Sequence, residues 1–126
     1  MSTPSERNYT GEWLKWLCSN AFCLDVLTLK AATTQTIKSG SPLRDNTGYI
    51  LVANGQEAHA TAIALEAISA TGGEKILCLV RGPAVVDSSK MSFETSVSWA
   101  EIADALAALD IRPYKTPNAT WTTQTT

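Results

Sequence analysis

The chain has 126 residues, of which 44% are hydrophobic and 17% are charged, and its formal net charge is −2. This length fits one folded domain with one core. The small negative charge excludes the basic surface typical of proteins that bind nucleic acid or anionic membranes, and no run of about 18 apolar residues could span a bilayer. The polar N-terminus, MSTPSERNYTGEW, lacks the pattern of a secretion signal, which predicts synthesis in a cytoplasm.

Composition divides the chain into three zones. Residues 1–21 are predicted to form an extended N-terminal arm, and residues 22–113 a β-rich folded body. Residues 114–126 are rich in threonine and have few apolar side chains to bury, which predicts a flexible tail.

The arm contains four large apolar side chains, Trp13, Leu14, Trp16 and Leu17. Their spacing would place them on one side of a short helix. Full burial of such a side chain is worth about 1.5–3 kcal/mol, so each is expected to pack against something. Packing on their own domain is one alternative. Because Trp is typical of interface hot spots, the sharper prediction is that these four residues bind a partner.

Short apolar runs in the body are separated by turn sequences such as Asn54-Gly55 and Gly72-Gly73. We interpret the runs at residues 24–30, 49–53, 76–81 and 84–87 as strands. Several short strands at this spacing predict a β-barrel or β-sandwich. The run from Ile76 to Val80 is apolar on both faces, which predicts a central, fully buried strand.

The stretch 59–70 fits two structures. Its alanines and Leu65 favour a helix, whereas Thr61, Ile63 and Ile68 favour a strand. Periodicity leaves both open.

One amphipathic helix is predicted near the end of the body. Ser98 and Glu101 have the spacing of a capping box, in which Ser98 is the N-cap and Glu101 reaches back. An apolar stripe at helical spacing follows and consists of Trp99, Ile102, Ala103, Leu106 and Leu109. Pro113 prevents the helix from continuing after Asp110.

No catalytic or metal-binding motif is found in the sequence. His59 is the only histidine, and no nucleophile elbow surrounds it. The three cysteines, Cys18, Cys23 and Cys78, have no ligand spacing and are predicted to be reduced and mostly buried. We therefore expect no enzymatic activity, no cofactor and no metal. The alternative is a small ligand-binding or enzymatic β-barrel with His59 and Arg81 in a pocket.

The order of segments resembles a known family. Residues 24–29 (LDVLTL), 37–43 (IKSGSPL) and 47–49 (TGY) look like the opening of the head decoration proteins of lambda-like phages. Residues 58–68 are similar to the family's Ala-x-Gly-Ile-Leu segment, although Gly is missing. Residues 75–87, KILCLVRGPAVVD, resemble its pair of strands, and residues 99–112 its closing helix. Residues 41–44, Ser-Pro-Leu-Arg, replace the usual Val-Leu-Gly.

The resemblance covers residues 24–113 and implies a small β-barrel or β-tulip-like domain with one C-terminal helix. It implies a homotrimer at three-fold positions on the outer surface of the virion, where it binds the major capsid protein and cements the expanded bacteriophage head. It also implies that the stretch 59–70 is extended and that the arm with Trp13, Leu14, Trp16 and Leu17 contacts the capsid. A phage tail or baseplate subunit is a further alternative.

Overall fold

The computed structural model describes residues 13–93 and 96–113. Its strands and helices are β1 (Leu14–Leu17), α1 (Asn20–Cys23), β2 (Leu24–Thr28), β3 (Gln35–Ile37), β4 (Pro42–Asp45), β5 (Tyr49–Leu51), β6 (Ala62–Ala64), β7 (Ile68–Ala70), β8 (Lys75–Leu79), β9 (Ala84–Val86), α2 (Trp99–Ala107) and β10 (Ile111–Pro113). The mainly β class is therefore confirmed, and β2, β5, β8 and β9 lie where strands were predicted. The first twelve residues of the predicted arm and the Thr-rich tail lie outside the described residues.

The described strands form three sheets. A five-stranded antiparallel sheet has the order β2-β8-β6-β4-β5, and a two-stranded sheet pairs β3 with β7. In the three-stranded sheet β1-β9-β10, β1 is antiparallel and β10 parallel to β9. An isolated bridge between Leu29 and Tyr49 connects the chain after β2 to β5. Within these described ranges the strands do not close into a barrel.

The five-stranded sheet has a cluster of buried apolar side chains on each face. Ile63 and Leu79 belong to a cluster that includes residues of α2 and of the three-stranded sheet. Ala64 and Cys78 belong to a second cluster, which includes residues of β3 and β7. Burial on both faces explains why β8 is a continuous apolar run. Strand β8 lies inside the sheet between β2 and β6, although β6 occupies the middle position, and it is not fully buried as predicted, because Leu77 is only partly buried.

The ambiguous stretch 59–70 is extended, as the resemblance implies. It begins at the last residue of a short 3-10 turn, Glu57–His59, and contains β6 and β7. Ala62 and Ala64 are fully buried in the central strand. Tertiary packing therefore overrides the helix propensity of alanine here.

Helix α2 begins as predicted, but its cap is built differently. Ser98 Oγ accepts a hydrogen bond from Glu101 N at 3.5 Å, which confirms Ser98 as the N-cap. In a capping box the Ser98 N–H would donate to Glu101. It donates instead to Glu57 Oε2, at 2.9 Å. The helix buries Ile102 and Leu106 completely and is thus held to the body at its start and along one face.

The segment assigned to the arm is part of the body from Trp13 onwards, so the predicted boundary at residue 21 is wrong. Residues 14–17 form a strand paired with β9, and the predicted short helix is not formed. Trp13 is 0% exposed, and its Nε1 donates to Ser39 Oγ at 2.9 Å. Leu14 and Leu17 pack partly buried against the first cluster. Trp13 is consequently unavailable to a capsid, which corrects its predicted role.

Trp13 and Trp16 give a matched test of the fold, because the first is buried and the second is exposed. We predict that Trp13→Ala lowers the free energy of unfolding by about 3–5 kcal/mol, because it opens a cavity in the core. Trp16→Ala, at a side chain that is 54% exposed, is expected to cost less than about 1 kcal/mol. Urea unfolding followed by circular dichroism measures both values. Equal losses would contradict the burial of Trp13.

A carboxylate holds the turn between β7 and β8. Glu74 accepts hydrogen bonds from Thr71 N at 2.8 Å and Gly72 N at 2.7 Å. The hydrogen bonds from these N–H groups, of which that from Thr71 has the largest effect, lower the pKa of Glu74 from 4.5 to about 2. The lowered folded-state pKa means that the ionised carboxylate stabilises the fold above pH 4.5, and that this contribution is lost as pH falls towards 2.

We therefore predict that Glu74→Gln flattens the acid side of the stability profile. Between pH 4.5 and pH 2 the thermal midpoint of the wild type falls, and that of the variant is expected to fall less because one titrating group is gone. Thermal unfolding across this pH range measures the two slopes. Parallel profiles would show that Glu74 does not couple folding to protonation.

Candidate docking surface

A β-bulge in β1 turns Trp16 towards solvent. Leu14 lies opposite Val86 and Trp16 opposite Val85, so Lys15 is one extra residue in β1. In a regular strand Leu14 and Trp16 would share a face. The bulge moves Trp16 to the opposite face, whereas Leu17 returns to the core.

Trp16 heads a row of side chains across the outer face of the three-stranded sheet. Val85 lies beside it on β9, and Arg112 lies beside Val85 on β10. We call Trp16, Val85 and Arg112 the outer row. The flanking residues of β9, Ala84 and Val86, are buried, so the row is the face turned away from the core.

The outer row combines an apolar group with a cation. Trp16 is 54% exposed, and the Arg112 side chain is 67% exposed. Arg112 Nε lies 3.1 Å from Asp110 Oδ1, whose side chain is also half exposed. An ion pair this accessible is worth little, so it leaves the guanidinium available to a partner's carboxylate. Trp and Arg are the residue types most enriched in interface hot spots.

Two other large apolar side chains of the described residues are exposed, and both follow Trp16 closely in sequence. Phe22, in α1, is 57% exposed, and Val26, in β2, is 54% exposed. The Arg81 guanidinium lies 5.0 Å from the centre of the Phe22 ring, and Arg81 Nη1 donates to the Phe22 carbonyl. Arg81 therefore braces α1 through a cation–π contact and a hydrogen bond.

Several sheet edges have features that hinder pairing with another strand. At β5 the Gln35 amide replaces a neighbouring strand: its Oε1 accepts from Leu51 N at 2.8 Å, and its Nε2 donates to Tyr49 O at 3.2 Å. At β2, Asp25 Oδ1 accepts from the N–H of the next residue at 2.8 Å. The bulge interrupts β1, and β10 ends in a proline. Such edges resist pairing with another strand, so contacts through side chains are favoured.

A cleft of about 410 Å³ lies on another part of the surface. Its described lining residues are Thr36, Lys38, Ser41, Pro42, Leu51, Val52, Met91, Ser92 and Phe93. Lys38 is the charged residue among them, and no base lies beside the serine hydroxyls in this set. His59 and Arg81 are not part of the lining. The structure therefore does not bring together in this cleft the two residues that the enzymatic alternative requires.

The cysteines are free thiols in different environments. Cys23 and Cys78 are buried, as predicted, whereas Cys18 is exposed. Burial raises the pKa of Cys78 to about 12, so this thiol is protonated at neutral pH. In residues 13–93 and 96–113, no three His, Cys, Asp or Glu side chains cluster as metal ligands, and no helix has the length and apolarity to cross a membrane.

Two members of the outer row, Val85 and Arg112, were not predicted from the sequence. The run Ala84-Val85-Val86 is apolar throughout, so its sequence does not show which side chain faces outward. The parallel pairing that places Arg112 beside it joins residues far apart in the chain and leaves no local signal.

Neither the protein-family models nor the curated proteins contain a match to this chain. A proposal for its function therefore depends on the outer row, on the sheet edges that hinder pairing and on the sequence resemblance.

Proposed function

We propose that this chain is a structural, non-enzymatic virion protein that binds the outer surface of a phage capsid. In this proposal a β-tulip-like domain forms a homotrimer at three-fold positions, contacts the major capsid protein and stabilises the expanded head. The observation that carries the proposal is the outer row, in which a β-bulge exposes Trp16 beside Val85 and Arg112.

The positions of the strands support the resemblance to head decoration proteins. Residues 24–29 include β2, and residues 75–87 include β8 and β9. The stretch 59–70 is extended rather than helical. These agreements concern the order of elements, and the capsid role remains our proposal.

Binding to the capsid through side chains would explain why Trp16 is exposed although the sheet edges hinder pairing with another strand. Burial of a large apolar side chain is worth about 1.5–3 kcal/mol, so the half-exposed Trp16 has part of that free energy left to gain on binding. Three copies in one trimer raise the effective concentration at the second and third contacts, so that modest contacts sum to tight attachment. Leu14 and Leu17 hold β1 in place, and Trp16 is the one of the four predicted residues that faces outward.

We predict that Trp16→Ala weakens binding to expanded empty heads of the phage that encodes the chain. The loss of a hot-spot tryptophan is expected to raise Kd by about tenfold or more. Val26→Ala is the matched control, because Val26 is equally exposed but lies on the other large sheet. A sedimentation assay with labelled protein measures both affinities. Unchanged binding of Trp16→Ala, or an equal loss for Val26→Ala, would contradict docking through the outer row.

The oligomeric state is a separate prediction. Light scattering of the purified chain is expected to give the mass of three chains, because the proposed site has three-fold symmetry. Dilution is expected to leave this mass unchanged at micromolar concentrations. A monomer that also fails to bind expanded heads would overturn the proposed function, whereas a monomer that binds would overturn the trimer alone.

A further inference from the structure

An exposed turn at Asn54-Gly55 contains a reactive sequence. Gln56 N donates to Ala53 O at 2.9 Å, so Asn54 and Gly55 are the central residues of a β-turn. Both are exposed. Gly55 has φ of +95°, and no heavy atom lies within 4 Å of the position that a Cβ would take. This is the only Asn-Gly pair in the chain.

An asparagine followed by glycine can lose its amide without a catalyst. The backbone nitrogen of Gly55, once deprotonated, attacks Asn54 Cγ and the N–Cγ bond forms. The Cγ–Nδ2 bond then breaks, and Nδ2 takes up one proton, equivalent to the one lost from Gly55, and leaves as ammonia. Water then opens the resulting succinimide to aspartate or isoaspartate. Glycine favours the first step because it has no side chain to hinder the approach.

The attacking nitrogen is held by a buried carboxylate. Glu57 Oε1 accepts the Gly55 N–H at 2.8 Å, and Glu57 Oε2 accepts the Ser98 N–H at 2.9 Å. Glu57 is only 3% exposed, and the hydrogen bond from Ser98 lowers its pKa, which keeps it charged at neutral pH. A negative charge beside the Gly55 N–H opposes loss of its proton, and the hydrogen bond to Glu57 engages the nitrogen that would have to attack.

We propose that Asn54 is a site of deamidation and that Glu57 restrains it in the folded protein. The same carboxylate accepts the Ser98 N–H at the start of α2, so the fold holds Glu57 in the position from which it binds Gly55. Deamidation adds a negative charge to the β-turn just before Glu57, and repulsion between like charges then weakens the contact between Glu57 and Gly55. This inference is independent of the capsid role.

The test compares deamidation rates in the full-length folded protein at mildly alkaline pH. Proteolysis and mass spectrometry give the modified fraction at each asparagine, so the other asparagines are internal controls. A synthetic peptide of residues 50–60 gives the unrestrained rate. We expect Asn54 in the folded chain to react about tenfold more slowly than in the peptide, the effect of one charge-assisted hydrogen bond. Glu57→Gln is expected to remove most of this protection.

Glu74→Gln is the matched control variant. Glu74 also accepts hydrogen bonds from two backbone N–H groups of a turn, but that turn has no asparagine. We expect it to leave the Asn54 rate unchanged. Because Glu57→Gln can also weaken the fold, its structure is checked by circular dichroism. If this variant is unfolded, the milder Glu57→Asp is used in its place, and we expect its deamidation rate to lie between those of the wild type and the peptide.

Three results would overturn the proposal. If Asn54 reacts as fast in the folded wild type as in the peptide, or if a folded Glu57 variant keeps the wild-type rate, Glu57 does not restrain the site. If Asn54 stays unmodified even when the wild type is unfolded in urea, Asn54 is not a deamidation site.

Discussion

The burial of Trp13 determines how the first strand meets the rest of the molecule. Its ring is fully enclosed, and its carbonyl accepts a hydrogen bond from Asp87 N at 2.6 Å. Gly40 has φ of +91°, and a Cβ there would lie 3.0 Å from Trp13 Cδ1, so this position requires glycine for both its conformation and its space. With Trp13 fixed at the start of β1, the strand pairs with β9 in one register, and the exposed face of the sheet follows from that register.

Strands β2, β5, β8 and β9, the turns that separate them and the N-cap of α2 could be predicted from the sequence because each depends on neighbouring residues. The arm could not. Leu14 and Leu17 both contact the core, and that spacing fits a helix. In the structure both leucines reach the core from a strand, because the bulge at Lys15 shifts the alternation of side chains by one residue. A regular period of two does not predict this shift. The cap of α2 shows the same limit: Ser98 is local, but Glu57 lies 41 residues away.

The surface satisfies two opposed requirements with few charged residues. An exposed tryptophan on an edge strand favours association with any available strand, and the bulge in β1 opposes that pairing. At β5 the uncharged amide of Gln35 supplies both a donor and an acceptor, so the edge is occupied without a charge. Trp16 is thus exposed on a strand in which the bulge hinders pairing through the backbone.

Helix α2 connects the Glu57 turn to the outer row. Its start is held by Glu57, and the turn after it contacts Gly82, whose N–H donates to Leu109 O at 2.7 Å. A Cβ at residue 82 would lie 1.7 Å from the Asp110 carbonyl oxygen, so only glycine permits this approach. Arg112 follows two residues later, in β10. Contacts at both ends therefore fix α2 between Glu57 and the strand that contains Arg112. The turn at Asn54 and the outer row are thus joined by one continuous series of packed elements, and double mutants at Glu57 and Arg112 would show whether the two sites are coupled in free energy.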